Sequence, residues 1–353
     1  MLALKRGSVM SGSVQVREGS SKNVVTSFQE NGEIKDAAFD FTDQVSGFDV
    51  GPMLSLFPGL GQSRFVTSVK LFQALENAGF ATTYVSHDIL SPRMYIKPLN
   101  IKELNVDYGE AAVGTLLPAE FICRLELTEK LMVRIDAGEV SRADIERRLW
   151  GDSFAAGTKL TPGFSECTTK FEAADRYVTD VEAAKLIGKD VEWLRTECYR
   201  TVEGVFRFLG NFFRPIGFDL KAGKLELGLT HDGKIILADT ISPDELTLVG
   251  LDGLSYDKDP VRDYYKTTFP EWHTSLLAAK KAFPEDKSQW PFYPAPPPQS
   301  VIDDVVARYR AVEEAINTLW SKLKQGRPQR RLFYLTCSGK FPKMGLQRYK
   351  YPV

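Results

Sequence analysis

Residues 224–239 restrict the folds open to this chain more than any other stretch. Leu225, Leu227 and Leu229 alternate with Lys224, Glu226 and Gly228, the period-two pattern of a half-buried strand. After His231-Asp232-Gly233, residues Lys234 to Asp239 read as the returning strand. Asp-Gly between two such runs favours a type I′ turn, which needs positive φ at both central residues. Centred on Asp232 and Gly233, that turn sets Glu226 opposite Asp239 on the polar face beside Lys224. Leu225, Leu227, Leu229, Ile236 and Ala238 then share the other face. Two carboxylates across a sheet repel unless something compensates. A Mg²⁺ ion held by one or two carboxylates would do so, and so would an exposed face on which Lys224 neutralises Glu226. Ser242-Pro243-Asp244-Glu245 adds acidic groups on a turn just past the strand.

With 353 residues, 43% of them hydrophobic, the chain can bury a large core, and two lobes are expected. The near-neutral balance, a formal charge of −1, argues for neither nucleic acid nor a membrane surface as partner. Cys123, Cys167, Cys198 and Cys337 lie far apart, which suits reduced thiols rather than zinc or a disulfide framework. The opening residues lack a signal-peptide apolar run, and no stretch approaches the ~20 apolar residues of a membrane span. A cytoplasmic location is the expectation.

Along the chain, Val14, Val16, Val24 and Val25 flank a small-residue turn, Gly19-Ser20-Ser21-Lys22. Its amides and lysine could approach phosphate oxygens, although an ordinary hairpin turn has the same composition. Phe39 to Asp49 reads as a strand running into a polar turn, where Asp43, Ser46 and Asp49 either cap the turn or face a ligand. Phe65, Val69, Phe72 and Leu75 recur on a helical period that ends at Gly79. Leu116 to Arg124 reads as a buried strand, and Leu160 to Tyr177 as a loop rich in ionisable groups. Residues 180–213 form a core helical region stopped by Pro215 and Gly217, and Lys258 and Arg262 share a face if their segment is helical. Trp290 to Pro298 is a stiff Pro-rich linker; Ser300 is placed to cap a helix that packs on the body or on a second subunit of a homo-oligomer. Residues 327–353 are basic and aromatic, fitting a tail packed on the surface better than a nucleic-acid arm.

Lys224-Leu225-Glu226, Asp239, Ser242-Pro243-Asp244-Glu245 and the run Asp257 to Tyr265 together resemble the C-terminal half of the SAICAR synthetases. So does the pattern Thr169-Lys170-Phe171-Glu172 with Asp175-Arg176-Tyr177. The family uses ATP and Mg²⁺ to join the amine of aspartate to the carboxylate of a ribonucleotide. The resemblance implies an α/β (α+β) fold, with an N-terminal β-rich lobe over ATP and a larger, ATP-grasp-like C-terminal lobe. It places Gly19, Ser20, Ser21, Lys22 and Glu120 at ATP, and Glu226 and Asp239 at the metal. Lys170, Asp175 and Lys224 become catalytic, with Lys170 stabilising the transferring phosphoryl group and Asp175 orienting the amine. Asp43, Ser46, Asp49, Arg124, Arg176, Lys258 and Arg262 fall to substrate binding. Two departures lie on the substrate side: Leu60 stands where the family usually has lysine, and the Gly-Ser turn that holds the ribose phosphate is replaced after Arg124 by Glu126 and Glu129.

The implied layout is a nucleotide lobe at 1–115, an ATP and substrate lobe at 116–290, a linker at 291–299, and a C-terminal helix with tail at 300–353. The expected activity is ATP-dependent amide ligation through an acyl phosphate, with a small-molecule carboxylate and an amino acid as substrates. A relative in specialised metabolism acting on another carboxylate, a small-molecule kinase, and a non-catalytic ATP-binding module are the competing readings.

Overall fold

The computed structural model describes residues 14–325 apart from 150 and 152; the predicted basic tail and Cys337 lie outside these. Five strands in the N-terminal part, β1 (Val14–Arg17), β2 (Lys22–Phe28), β3 (Ile34–Phe41), β6 (Tyr84–His87) and β7 (Arg93–Ile96), form an antiparallel sheet in the order β1-β2-β3-β7-β6. Val16 faces Val25 and Arg17 faces Val24, so the expected small-residue turn closes the β1–β2 hairpin at residues 18–21. Between β3 and β6 come a short ribbon, β4 (Gln44–Ser46) with β5 (Pro52–Leu56), and helix α1 (Leu60–Asn77). The helix starts after Gly59, whose φ of 92° a side chain would resist, and stops just before Gly79 at φ 96°.

The second sheet holds the long strands β8 (Gly114–Glu126), β9 (Lys159–Thr169) and β11 (Phe218–Thr230), with β10 (Tyr177–Val178), β12 (Ile235–Ala238) and β13 (Leu246–Gly250). Its order is β10-β9-β8-β11-β12, and β13 pairs with the first half of the β11 edge whose second half pairs with β12. The segment between β12 and β13, residues 239–245, therefore fills a gap in that edge beside Lys224, whose N–H donates to the Glu245 carbonyl at 2.8 Å. Helices α2 (Glu129–Asp136) and α3 (Arg142–Glu146) lie between β8 and β9. The expected helical region 180–213 is α4 (Asp180–Ile187), α5 (Val191–Trp193), a π-helical stretch and α6 (Arg200–Phe213), split at Gly188, which has a φ of 74°. Val202, Val205, Phe206, Leu209, Phe212 and Phe213 on α6 are buried in the main core with Phe121, Leu225 and Leu227.

Helices α7 (Asp259–Thr268), α8 (Pro270–Ala282) and α9 (Gln299–Gln325) complete the chain. A second core joins Tyr265, Tyr293 and Tyr309 to Val45, Phe57 and Leu60. The stretch before α9 is thus anchored: Trp290 and Tyr293 are buried. Ser300 lies inside the first turn of α9 rather than at its cap, because the helix begins at Gln299. Among the described residues no helix is long and apolar enough to cross a membrane.

Two further expectations need correcting. Residues 160–169 are not a loop but most of β9, with Ser165, Glu166, Thr168 and Thr169 buried against β8. In the hairpin, Thr230 pairs with Lys234 across three loop residues, and Gly233 alone carries positive φ (81°). That is the three-residue hairpin with a glycine bulge, and it shifts the register by one. Glu226 faces Ala238 on β12 and Glu120 on β8. The facing carboxylates are therefore Glu226 and Glu120, and Asp239 lies beyond the end of β12.

Candidate active site

The two sheets, the loop after β4 and the 239–245 segment enclose a cleft of about 560 Å³. Gly19, Ser20, Ser21 and Lys22 line one side of it. Lys170, Asp175, Lys224, Glu226 and Asp239 line the floor, and Ser46, Asp49, Lys258 and Arg262 the far end. Thirteen of the seventeen expected site residues thus belong to one cavity, and they come from segments up to 243 residues apart in sequence.

Along the floor, positive and negative groups alternate. Lys22 Nζ is 2.7 Å from Asp239 Oδ1, and Lys170 pairs with Glu226 and stands 4.0 Å from Glu120 Oε1. Lys224 Nζ donates to Glu120 Oε2 at 2.7 Å and lies 3.6 Å from Asp175 Oδ2. The Asp239 backbone is left-handed, with φ 61°, a conformation aspartate tolerates better than most residues.

Burial pushes the Glu226 carboxyl up, the nearby Asp239 charge pushes further, and the Lys170 and Lys22 ammonium groups pull it back. Asp239 is equally desolvated, but Lys22 and then Lys170 outweigh burial and hold its carboxyl below the ordinary range. Burial raises Glu120 to about 7 against the pull of Lys224. Burial and the Asp244 charge raise Glu245 to about 7, although its Oε2 accepts from Ser242 N–H at 2.8 Å and Ser242 Oγ–H at 2.7 Å.

Four expected residues do not line the cleft. Glu120 sits behind the floor, where it holds Lys224 and Lys170. Asp43 accepts from the Gly61 N–H at 2.8 Å and so fixes the start of α1. Arg124 shares a strand face with Glu120, but four residues further along; its Nε donates to Glu166 Oε1 and its Nη2 to Tyr177 Oη, both at 2.9 Å. Arg134 takes the other Glu166 oxygen at 2.5 Å, so an internal carboxylate satisfies both arginines. Arg176 pairs with Glu172 and Glu182 beside a separate surface depression.

Other residues enter the site without having been expected. Arg64 from α1 reaches the cleft, with Nε 2.6 Å from Asp244 Oδ2; a charged residue inside an apolar helical period was the available signal. Asp244, expected only as part of an acidic turn, also accepts from Tyr309 Oη on α9 at 2.7 Å. An adjoining apolar hollow of about 220 Å³ opens between the sheets, lined by Leu99, Ile101, Tyr108 and Phe171 among others, and shares Lys170, Glu226 and Asp239 with the cleft. No sequence pattern marks it, because its walls come from separate strands and the 97–108 connection.

Among the described residues no group of three or more His, Cys, Asp or Glu side chains could hold a metal ion by itself. The chemistry of the Glu226 and Asp239 pair still fits Mg²⁺, which commonly takes one or two carboxylates and completes its shell with phosphates and water.

The sequence profile described as SAICAR synthetase matches residues 15–278. The phosphoribosylaminoimidazole-succinocarboxamide synthase of Streptococcus mutans is 26% identical over 251 residues, covering 70% of this chain and 89% of the relative. That of Thermoplasma volcanium is 25% identical over 274 residues, covering 71% and 86%. Among solved structures, the Saccharomyces cerevisiae SAICAR synthase complexed with SAICAR superposes with a TM-score of 0.60 at 16% identity, over 89% of this chain and 98% of that one. A type-2 SAICAR synthetase in complex with ADP gives 0.54 at 23% identity, over 70% and 90%. A β-rich N-terminal region set against a larger C-terminal region, as in these structures, defines a mixed α/β fold class. Within that class, the chain belongs to the SAICAR synthetase family.

Proposed function

We propose that the protein joins the amine of aspartate, or of a similar amino acid, to a small-molecule carboxylate at the expense of ATP. The observation that carries this reading is a single cleft with two chemically different ends. At one end, lysines and carboxylates alternate beside an apolar hollow suited to a base; at the other, Arg64, Lys258 and Arg262 gather cationic charge. The substrate carboxylate oxygen attacks the γ-phosphorus, ADP departs, the amine nitrogen attacks the acyl carbon, and phosphate leaves as the amine loses its proton. Lys22 and Lys170 stabilise the transferring phosphoryl oxygens, which is most of what such catalysis requires. Asp175, with Lys224 at its side, orients the amine. Mg²⁺ held by Glu226 and Asp239 would screen the phosphate charge.

A carboxylate other than the purine ribonucleotide is the second reading, and Arg124 favours it: its guanidinium is occupied by Glu166 and Tyr177 instead of facing the cleft. The test is ADP release from Mg·ATP with aspartate, with and without carboxyaminoimidazole ribonucleotide, followed by mass spectrometry. Release that needs both, with a succinocarboxamide product, assigns the purine reaction. ADP release without amine and a stable phosphorylated product would make it a kinase. Nucleotide binding without turnover sends the search to other carboxylates.

A further inference from the structure

Asp244 is contested at the far end of the cleft. Its Oδ2 lies 2.6 Å from Arg64 Nε, and its Oδ1 accepts from Tyr309 Oη at 2.7 Å and from Arg64 Nη2 at 3.3 Å. Lys258 approaches the same Oδ1 but stops at 3.9 Å, beyond hydrogen-bond range. Its ammonium lines the cleft with no partner within hydrogen-bond distance among the described residues. Tyr309 is fully buried on α9, outside the 15–278 match, and does not itself line the cleft.

We infer that Tyr309 is a positioning residue: by occupying Asp244 Oδ1 it keeps Lys258 at ion-pair distance but without a direct hydrogen bond, lining the cleft and ready for an anionic oxygen of the substrate. The site's use of that oxygen rests on the ligase reading; the competition between Tyr309 and Lys258 does not. A carboxylate oxygen that loses a buried donor takes the nearest replacement, since an unmet acceptor is costly. In Tyr309→Phe, Arg64 Nη2 already shares that oxygen at 3.3 Å, and the further donor within reach of the vacated position is Lys258 at 3.9 Å. The other charged groups facing Lys258 are Arg262, Glu245 and Arg64. Burial holds the Lys258 ammonium below its ordinary value, against the upward pull of the Asp244 charge.

The test needs no substrate. The full-length protein is labelled with acetic anhydride across a pH series, and acetylation of Lys258 is followed by mass spectrometry. Wild-type Lys258 is expected to react with a midpoint below that of an exposed lysine. Tyr309→Phe is expected to slow its labelling about tenfold at a fixed pH, a shift of one unit. The double variant Tyr309→Phe with Asp244→Asn should restore it. A wild-type midpoint at or above that of exposed lysines, or unchanged labelling in a folded Tyr309→Phe, overturns the proposal. With an active substrate pair, Tyr309→Phe should raise KM for the anionic substrate while KM for ATP holds. Shifted labelling without turnover on any pair would defeat the ligase reading and leave the positioning role standing.

Discussion

Glu226 and Asp239 share a desolvated corner in which each negative charge is matched by a lysine, Lys170 and Lys22. Removing either carboxylate leaves its lysine buried without its closest partner and takes away one of the two proposed metal contacts. Glu226→Ala and Asp239→Ala are each expected to lower kcat by at least about 100-fold, as loss of a group aimed at transition-state charge does. Circular dichroism should report an intact fold, and wild-type turnover of either variant at limiting Mg²⁺ would refute the metal assignment. Glu245 gives a pH-dependent prediction. Its carboxyl titrates near 7 in the folded protein against an ordinary 4.5, so the folded state holds the extra proton between those values. Stability from this group is therefore full below 4.5 and is lost as pH rises to about 7, on the order of 3 kcal/mol. In thermal melts of the ligand-free protein, Glu245→Gln should raise Tm more at pH 8 than at pH 5. An equal shift at both values would remove the assignment.

Among the elements, β11 carries the site because three strands and the 239–245 segment meet on it. A Cβ at Gly223 would come within 2.6 Å of the Glu245 carbonyl and 2.8 Å of the Phe206 ring. Gly223→Ala should cost about 1–3 kcal/mol, and it should weaken nucleotide binding too, because backbone that carries site residues must move. Helix α9 is held by its apolar face, and Ile316→Ala is expected to cost about 2–5 kcal/mol in a urea melt, since the side chain is fully buried. Alternation alone revealed β11 and β12, and the helical period revealed α1 and α6. The register of the hairpin was not legible, because Asp-Gly serves two loop lengths and only the backbone at Gly233 separates them. The family resemblance, more than residue type, grouped Lys22, Lys170, Glu226 and Asp239, and all four line one cavity. Arg124 and Asp43 escaped the same logic: their direction is decided by Glu166 and by the first turn of α1, partners that no local pattern identifies.

For the molecule as a whole, a ligand that bridges the two sheets stabilises the folded state by mass action. Mg·ADP at 100 times its Kd should add about 2.7 kcal/mol, seen as a rise in Tm that EDTA reduces. No rise with Mg·ADP or Mg·ATP would contradict nucleotide binding in this cleft. The loop carrying Ser46 and Asp49 is held by Tyr293, whose hydroxyl accepts from the Gly47 N–H at 2.9 Å and donates to the Gly47 carbonyl at 2.6 Å across 246 residues of chain. At ribosomal rates the clamp leaves the tunnel roughly 10–50 s after the loop it secures. A growing chain can therefore assemble its first sheet early, yet the clamp on the cleft loop forms only after translation has passed residue 293.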